Sequence, residues 1–389
     1  MSDPSLAIIS GVAPGTSGTG WLMRGLLGEI NSAQLPIGVL HRLEKRSCRG
    51  LTLLLPGNLS ARIAFVLDQL TFGPRALAAA ARADQVLLMH PQTLGHGLFA
   101  RLMGARAFSW TYVLDSYFFC KAGYNHLPSE DSPCLRCLGT RGEPASVQGC
   151  GDAFAAGPFV PSLREWVAAG RLGLIAQCPS QAALLRRHFG PEAKIKVVPL
   201  HVPHLEVTHR AERPSRPRPL AVFHGSTHPA KGVGLAVALA RQMPDWDLMI
   251  PATACDARRL LKNHGAPPPN VHFQPITWET GLAEAVAEAD AVLCPSLWSA
   301  PVEGALLKSL AANGVVLACP HETSFASELS AGSFIPLLPD RVADAAASLR
   351  LVQRDPAAGA ALRAAAASFV SEYVGRSRNM AGALLAACD

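Results

Sequence analysis

Residues 289–311 constrain the fold more than any other stretch of the chain. Ala291-Val292-Leu293-Cys294 is a short apolar run of the kind that forms a buried strand. It stops at Pro295-Ser296, passes through a polar and aromatic loop containing Trp298, and restarts with helical periodicity near Val302. A strand, a loop and a helix N-terminus form the unit with which open α/β sheets build anion sites. The backbone N–H groups and the helix dipole face the space beyond the strand's carboxyl end. Glu303 is read in the first helical turn, facing that space. One carboxylate among several N–H donors suits a ligand that carries both hydroxyl and phosphate groups.

The same alternation runs through the chain. Apolar strand-like runs are expected at residues 6–10, 51–55, 85–89, 110–114, 172–176 and 195–198, with Ala-rich helical segments between several of them. Strands that alternate with helices predict a mostly parallel sheet covered on both faces. From about residue 205 to 219 the pattern gives way to Pro, Arg and His without periodicity, which reads as a linker. A second α/β series then follows, with strands at 220–224, 248–250, 271–273, 291–294 and 315–318. The expected organisation is a first domain over 1–204 with a Cys-rich insertion near 120–150, a linker over 205–219, and a second domain over 220–389. At 389 residues the chain is long enough for two cores.

Composition narrows the class. Hydrophobic content of 49% against 16% charged residues is that of a well-buried globular protein. The net charge of +6 is dispersed rather than gathered in a stripe, which argues against nucleic acid as a partner and leaves anionic ligands or a membrane surface. No apolar run reaches spanning length. The N-terminus enters a strand without a basic and apolar leader, so a cytoplasmic location is expected, including the inner face of the membrane.

The pattern in 289–314 resembles the donor-binding segment of retaining glycosyltransferases of the GT-B fold, family 4. That family carries Asp-x-x-x-x-Pro-Ser, a loop, then Glu, seven residues, and Glu-Ala-x-Ala-x-Gly. Asp290, Pro295, Ser296, Ala311 and the Asn313-Gly314 turn match. Lys308 stands at the second glutamate, and Ser299 or Ala300 at the first. Glu303 falls where the family has Gly, and the loop is one residue longer. Upstream, Gly225, Lys231 and Gly232 match a Gly-Arg-Leu-x-x-x-Lys-Gly motif, with Ser226 in the place of the arginine. The resemblance implies two Rossmann-like α/β domains facing across a cleft, with the final helix packing back on the first. It also implies metal-independent transfer of sugar, with retention, from a UDP- or GDP-sugar to a glycan, lipid-linked or small-molecule acceptor. Two alternatives remain open: a non-catalytic partner subunit that has lost the family's Arg and glutamates, and a sugar-nucleotide epimerase of the same fold.

The candidate catalytic residues are then Lys231, Glu303 and Asp115. A lysine after a strand and a turn stabilises a departing phosphate, while Glu303 would accept sugar hydroxyls. Asp115 follows a strand at the edge where α/β proteins bind ligands, and could position or deprotonate an acceptor hydroxyl or simply cap the next segment. Donor contacts are expected from Gly225, Ser226, Trp298, Pro301, Val302, Gly304 and Lys308. Gly18, in the glycine loop 11–20, is a further candidate, although that loop lacks both the Gly-Lys-Ser/Thr of a P-loop and an acidic residue for ribose. His224 and His228 are placed to share the role of the missing arginine; His90, Asn125 and His126 are acceptor-side candidates. Cys134 and Cys137 have C-x2-C spacing, with Cys120 and Cys150 on either side. These four could hold a structural zinc, form disulfides or stay thiols.

Overall fold

The computed structural model describes residues 3–15, 18–43, 56–127, 129, 132–140, 150, 159–210, 214–262 and 264–389. The expected strand at 51–55 lies outside them. The chain divides into two compact units. The first comprises Met1–Gly123, Arg136–His201 and Ser377–Asp389; the second comprises Tyr124–Leu135 and Val202–Arg376.

The first unit holds a six-stranded parallel sheet. Its strands are β1 (Leu6–Ser10), β2 (Ile37–His41), β3 (Gln85–Met89), β4 (Ser109–Tyr112), β5 (Leu172–Ala176) and β6 (Ile195–Val197), in the order β2-β1-β3-β4-β5-β6. β1 and β5 are buried along their whole length, as expected for strands covered on both faces. Leu22, Met23 and Leu26 of the helix Gly18–Ala33 pack on one face with Met380, Ala381 and Leu384 of the last helix, Met380–Cys388. That helix is fixed by Trp110 Nε1 donating to the Cys388 carbonyl at 3.1 Å and by the Ala381 amide donating to Glu29 at 2.8 Å. The Ala-rich C-terminal stretch forms two helices, Pro356–Ser377 and Met380–Cys388. The break falls at Arg378-Asn379, where the Asn379 side chain accepts from the Gly382 amide.

The second unit repeats the architecture with β7 (Leu220–Phe223), β8 (Asp247–Ile250), β9 (Val271–Phe273), β10 (Ala291–Cys294), β11 (Val316–Ala318) and β12 (Ile335–Pro336), in the order β12-β11-β10-β7-β8-β9, all parallel. Asp290 of the motif is structural: its carboxylate accepts the Leu220 amide at 2.8 Å and sets where β7 begins beside β10. Asn313 closes the same module by donating to the carbonyls of Val286 and Ala289. Thr208 and Arg216, from the stretch read as a linker, are bound to this unit. Thr208 N donates to the Ala311 carbonyl at 2.9 Å, and Arg216 bonds both the carbonyl and the carboxylate of Glu288.

Both sheets reverse their order of connection beside their first strand, between β1 and β3 and between β7 and β10. Loops leaving neighbouring strands diverge at such points and open a crevice at the carboxyl edge.

Candidate functional sites in the two units

In the second unit, the loops leaving β7 and β10 are stitched together. Gly232, with φ of 75°, lies so close to the Pro295 carbonyl that a Cβ would stand 1.9 Å from its oxygen, so only glycine fits. The Leu297 amide donates to the Ala230 carbonyl at 2.7 Å. This stitching presents Lys231, at the end of the turn Pro229–Lys231, to Glu303 on the loop after β10.

Lys231 Nζ and Glu303 Oε1 form an ion pair, and Ser296 Oγ donates to the same oxygen at 2.7 Å. Lys231 and Glu303 are 13% and 11% exposed, so water screens the pair poorly. Glu303 is not in the first helical turn, as the periodicity suggests. It precedes the helix Gly304–Ala312, and its carboxylate does not cap that helix because it is committed to Lys231 and Ser296.

An aromatic wall covers the pair. Lys231 Nζ lies 5.1 Å from the Trp298 ring centroid and 5.8 Å from that of Tyr124. Tyr124 meets Trp298 edge-on at 4.5 Å and stacks on His228 at 4.4 Å. Trp298 is 4% exposed, and its indole N–H has no acceptor among the described residues. A buried donor without a partner costs stability unless a ligand or water satisfies it. Tyr124 arrives on the segment Tyr124–Leu135. Fully buried Asn125 anchors that segment, donating to Ser299 Oγ at 2.8 Å and accepting the Ser299 amide at 3.0 Å, while Ser299 Oγ reaches Thr323 at 2.7 Å. Asn125 and His126, acceptor-side candidates by sequence, fall within this unit.

A second group flanks this one. His224 stacks on Trp278 at 5.0 Å and 10°, and its Nδ1 bonds Ser309 Oγ at 2.8 Å. Burial, with the Lys308 charge adding to it, pushes His224 down to about 3. It is neutral near pH 7 and does not replace the missing arginine's charge. His228 is also held below the usual histidine range, by burial first and then by Lys231, His126 and Arg259. Lys308 Nζ lies 4.7 Å over the Trp278 ring; burial lowers its pKa and Glu279 opposes that shift. Gly225 lies against the Phe223 ring and Lys231 Cβ, and the Ser226 carbonyl accepts the His228 amide at 2.8 Å. Ala300 and Val302 are buried, with Pro301 between them, and Gly304 begins the helix.

In the first unit, Gly11 leaves β1 against the turn that follows β3. A Cβ there would meet Thr93 Oγ1 at 2.2 Å. That turn begins at His90, whose φ of 53° is unusual for a residue with a side chain, and His90 Nδ1 bonds Thr93 Oγ1 at 2.9 Å. Burial pushes His90 down to about 4. Gln92, on the same turn, donates to both oxygens of Asp115 at 3.0 Å, and the Tyr117 amide donates at 2.9 Å. Burial outweighs those donors and raises Asp115 to about 6. Among the described residues no cation is hydrogen-bonded to it. Gly18, with φ of 52°, opens the first helix in otherwise open space, so only its backbone conformation favours glycine there.

Cys134 falls in the second unit and Cys137 in the first, so the C-x2-C pair straddles the boundary at Leu135 and Arg136. Among the described residues no group of three or more His, Cys, Asp or Glu side chains is arranged to hold a metal ion, and the four thiols form no disulfide. Sequence reasoning misses Gln92, Tyr124 and Trp278, which lie outside every motif.

Two parallel six-stranded Rossmann-like sheets in one chain define the GT-B glycosyltransferase fold. Solved structures share it over nearly the whole length. They include sucrose-phosphate synthase from Thermosynechococcus elongatus, with TM-score 0.65, 15% identity, and 98% of this chain and 97% of that one covered. HepE from Anabaena in complex with UDP-glucose gives 0.59 and 12%, covering 98% and 99%. The trehalose-6-phosphate structure from E. coli bound with UDP-2-fluoro glucose gives 0.57 and 13%, covering 99% and 99%. The sequence matches no protein-family model and no curated protein.

Proposed function

We propose that the protein is a glycosyltransferase that takes a sugar from a nucleoside-diphosphate donor, UDP- or GDP-linked, with retention and without a catalytic metal. The observation that carries this reading is the Lys231–Glu303–Ser296 group at the switch point between β7 and β10. A cation, a carboxylate and a helix N-terminus there match the chemistry of a ligand that carries phosphate next to sugar hydroxyls. Two of the fold neighbours hold UDP-sugars, which agrees with this choice.

In this reading the bond from the anomeric carbon to the diphosphate breaks, its electron pair leaves with the diphosphate oxygen, and the acceptor oxygen forms the new bond to the anomeric carbon with retained configuration. Lys231 compensates the charge that develops there, Glu303 holds sugar hydroxyls, and Trp298 walls the sugar. Asp115, raised toward neutrality by burial, positions the acceptor hydroxyl and takes its proton. The acceptor is a glycan, a lipid-linked saccharide or a small molecule. Calorimetry with UDP, GDP and their sugars tests the donor half. Binding of at least one nucleoside diphosphate that weakens in Lys231→Ala supports the reading, and absence of binding across the panel overturns it.

One observation favours a second reading, a non-catalytic partner subunit of the same fold. Lys231 and Glu303 satisfy each other, Ser226 stands at the family's arginine, and Lys308 stands at its second glutamate. Donor binding without transfer or hydrolysis of any donor would select it.

A further inference from the structure

The two histidines on the loop that leaves β7 carry their protons on opposite nitrogens, and their partners decide which. In His228 the Ala230 amide donates to Nδ1 at 3.1 Å, so Nδ1 is a lone pair and the ring proton sits on Nε2. His224 is the reverse. Ser309 Oγ lies 2.8 Å from the Ala305 carbonyl, which can only accept, so the single hydroxyl proton points there. The 2.8 Å contact between His224 Nδ1 and Ser309 Oγ then takes its proton from the ring, which leaves His224 Nε2 as an acceptor. Both rings are neutral near pH 7. Burial holds them below the usual histidine range, with Lys308 adding to it for His224 and Lys231 for His228.

Of the two, only His228 can donate a hydrogen bond to an anion. Among the described residues the Ala230 amide is the one hydrogen-bond partner of its ring, so Nε2–H is uncommitted. The ring is fixed on one edge by that amide and on one face by Tyr124, stacked at 4.4 Å. Trp298 meets the same Tyr124 ring edge-on at 4.5 Å and is 4% exposed, and its indole N–H is a second donor without an acceptor among the described residues. Lys231 Nζ lies 5.8 Å from the Tyr124 ring centroid. Two neutral N–H donors and a cation thus meet one aromatic ring. A buried donor set of this kind is satisfied by a group that accepts several hydrogen bonds and gives none, which a phosphate oxyanion does.

We infer that His228 is a binding residue for the diphosphate of the donor, its Nε2–H donating to a phosphate oxygen. The inference rests on the donor-site reading above and adds to it a residue outside the motif positions. Ser226 stands where the motif it resembles has arginine, and His228 two residues on supplies a hydrogen bond there without a charge. A neutral donor beside Lys231 avoids the repulsion that a second cation would meet.

Calorimetry on the whole protein with UDP, GDP, uridine and guanosine tests this through two substitutions that split the two nitrogens. His228→Asn keeps an oxygen able to cap the Ala230 amide but is too short to put a donor at the Nε2 position. His228→Gln puts an amide N–H near that position and gives up the cap. His228→Asn should lose about tenfold or more in affinity for whichever diphosphate the parent binds better, the cost of one hydrogen bond to a charged group. Its affinity for the matching nucleoside should stay that of the parent, and His228→Gln should keep most of the diphosphate affinity. If His228→Asn binds the diphosphate like the parent while Lys231→Ala is weakened, the inference is overturned and the donor-site reading stands. If both His228 variants lose the diphosphate equally, or lose the nucleoside as well, His228 only holds the turn and the inference is overturned. A parent that binds neither UDP nor GDP overturns both.

Discussion

The two switch points arise from the same topology but solve their electrostatics in opposite ways. In the second unit the charges at the switch point are balanced within the protein, with Lys231 against Glu303 and Ser296 on the same carboxylate. In the first unit Asp115 has neutral donors, Gln92 and the Tyr117 amide, and its pKa rises to about 6. A balanced pair is stable but must be opened or shared when a ligand binds. An uncompensated carboxylate is costly to keep ionised and is a ready proton acceptor. The contrast suggests that one site is built to recognise charge and the other to accept a proton.

The largest expected effect tests the recognition side. With Ser226 at the position of the arginine in the motif it resembles and His224 neutral, the proposed function assigns the leaving-group charge to Lys231. Lys231→Ala should lower turnover by roughly two to three orders of magnitude, a typical cost of deleting one electrostatic stabiliser. Initial rates with a donor that binds the parent check this, and full activity in the variant would show that the diphosphate lies elsewhere.

Next comes the proton-accepting side. Asp115→Asn should lower turnover by roughly two orders of magnitude, within the usual range for a general base. In the parent, the rate at saturating substrate should fall below a pH of about 6, where Asp115 takes up its proton. A pH–rate profile flat across that region would remove Asp115 from the chemistry.

A smaller effect separates the members of the balanced pair. Glu303→Gln should weaken the sugar nucleotide by about tenfold, the loss of one charged hydrogen-bond acceptor, while leaving the free nucleoside diphosphate nearly unchanged. Equal losses for both ligands would mean that Glu303 acts only by holding Lys231.

How much of this is legible in the sequence follows from how local each determinant is. β1, β3, β5 and β10 have the bounds that their apolar runs suggest, because buried parallel strands are short, uniform and flanked by breakers; β9 also keeps its expected bounds although it is an edge strand with only Val271 buried. β2 and β12 escape that reading: Ile37–His41 is only partly buried and β12 is a two-residue edge strand containing Pro336. Motif spacing finds Lys231 and Glu303 but not their mutual pairing. The pairing depends on the contact between Gly232 and the Pro295 carbonyl, which no spacing rule encodes. Asn125 and Ser299 are 174 residues apart, so the segment that brings Tyr124 over Lys231 leaves no local signal. Asp115 is visible as a strand-end carboxylate, whereas Gln92, which holds it, is not.

The smallest effect concerns the stability cost of the uncompensated carboxylate. The folded-state pKa of Asp115 is raised from 3.8 to about 6, so between those values the folded chain binds more protons at this site than the unfolded chain. Its contribution to stability is therefore most favourable below the unfolded value and declines as pH rises through about 6. Asp115→Asn keeps the shape and an acceptor for the Tyr117 amide but removes the buried charge. The variant should melt about 2–4 °C above the parent at pH 8, the shift expected when roughly 1 kcal/mol is recovered in a unit of this size. The gain should shrink as pH falls toward 4, where the parent's carboxyl is neutral as well. Melting curves of the two proteins across that pH range check it. A variant less stable than the parent at pH 8 would show that the Gln92 and Tyr117 donors already compensate the charge, and the contrast between the two switch points would then lose its electrostatic basis.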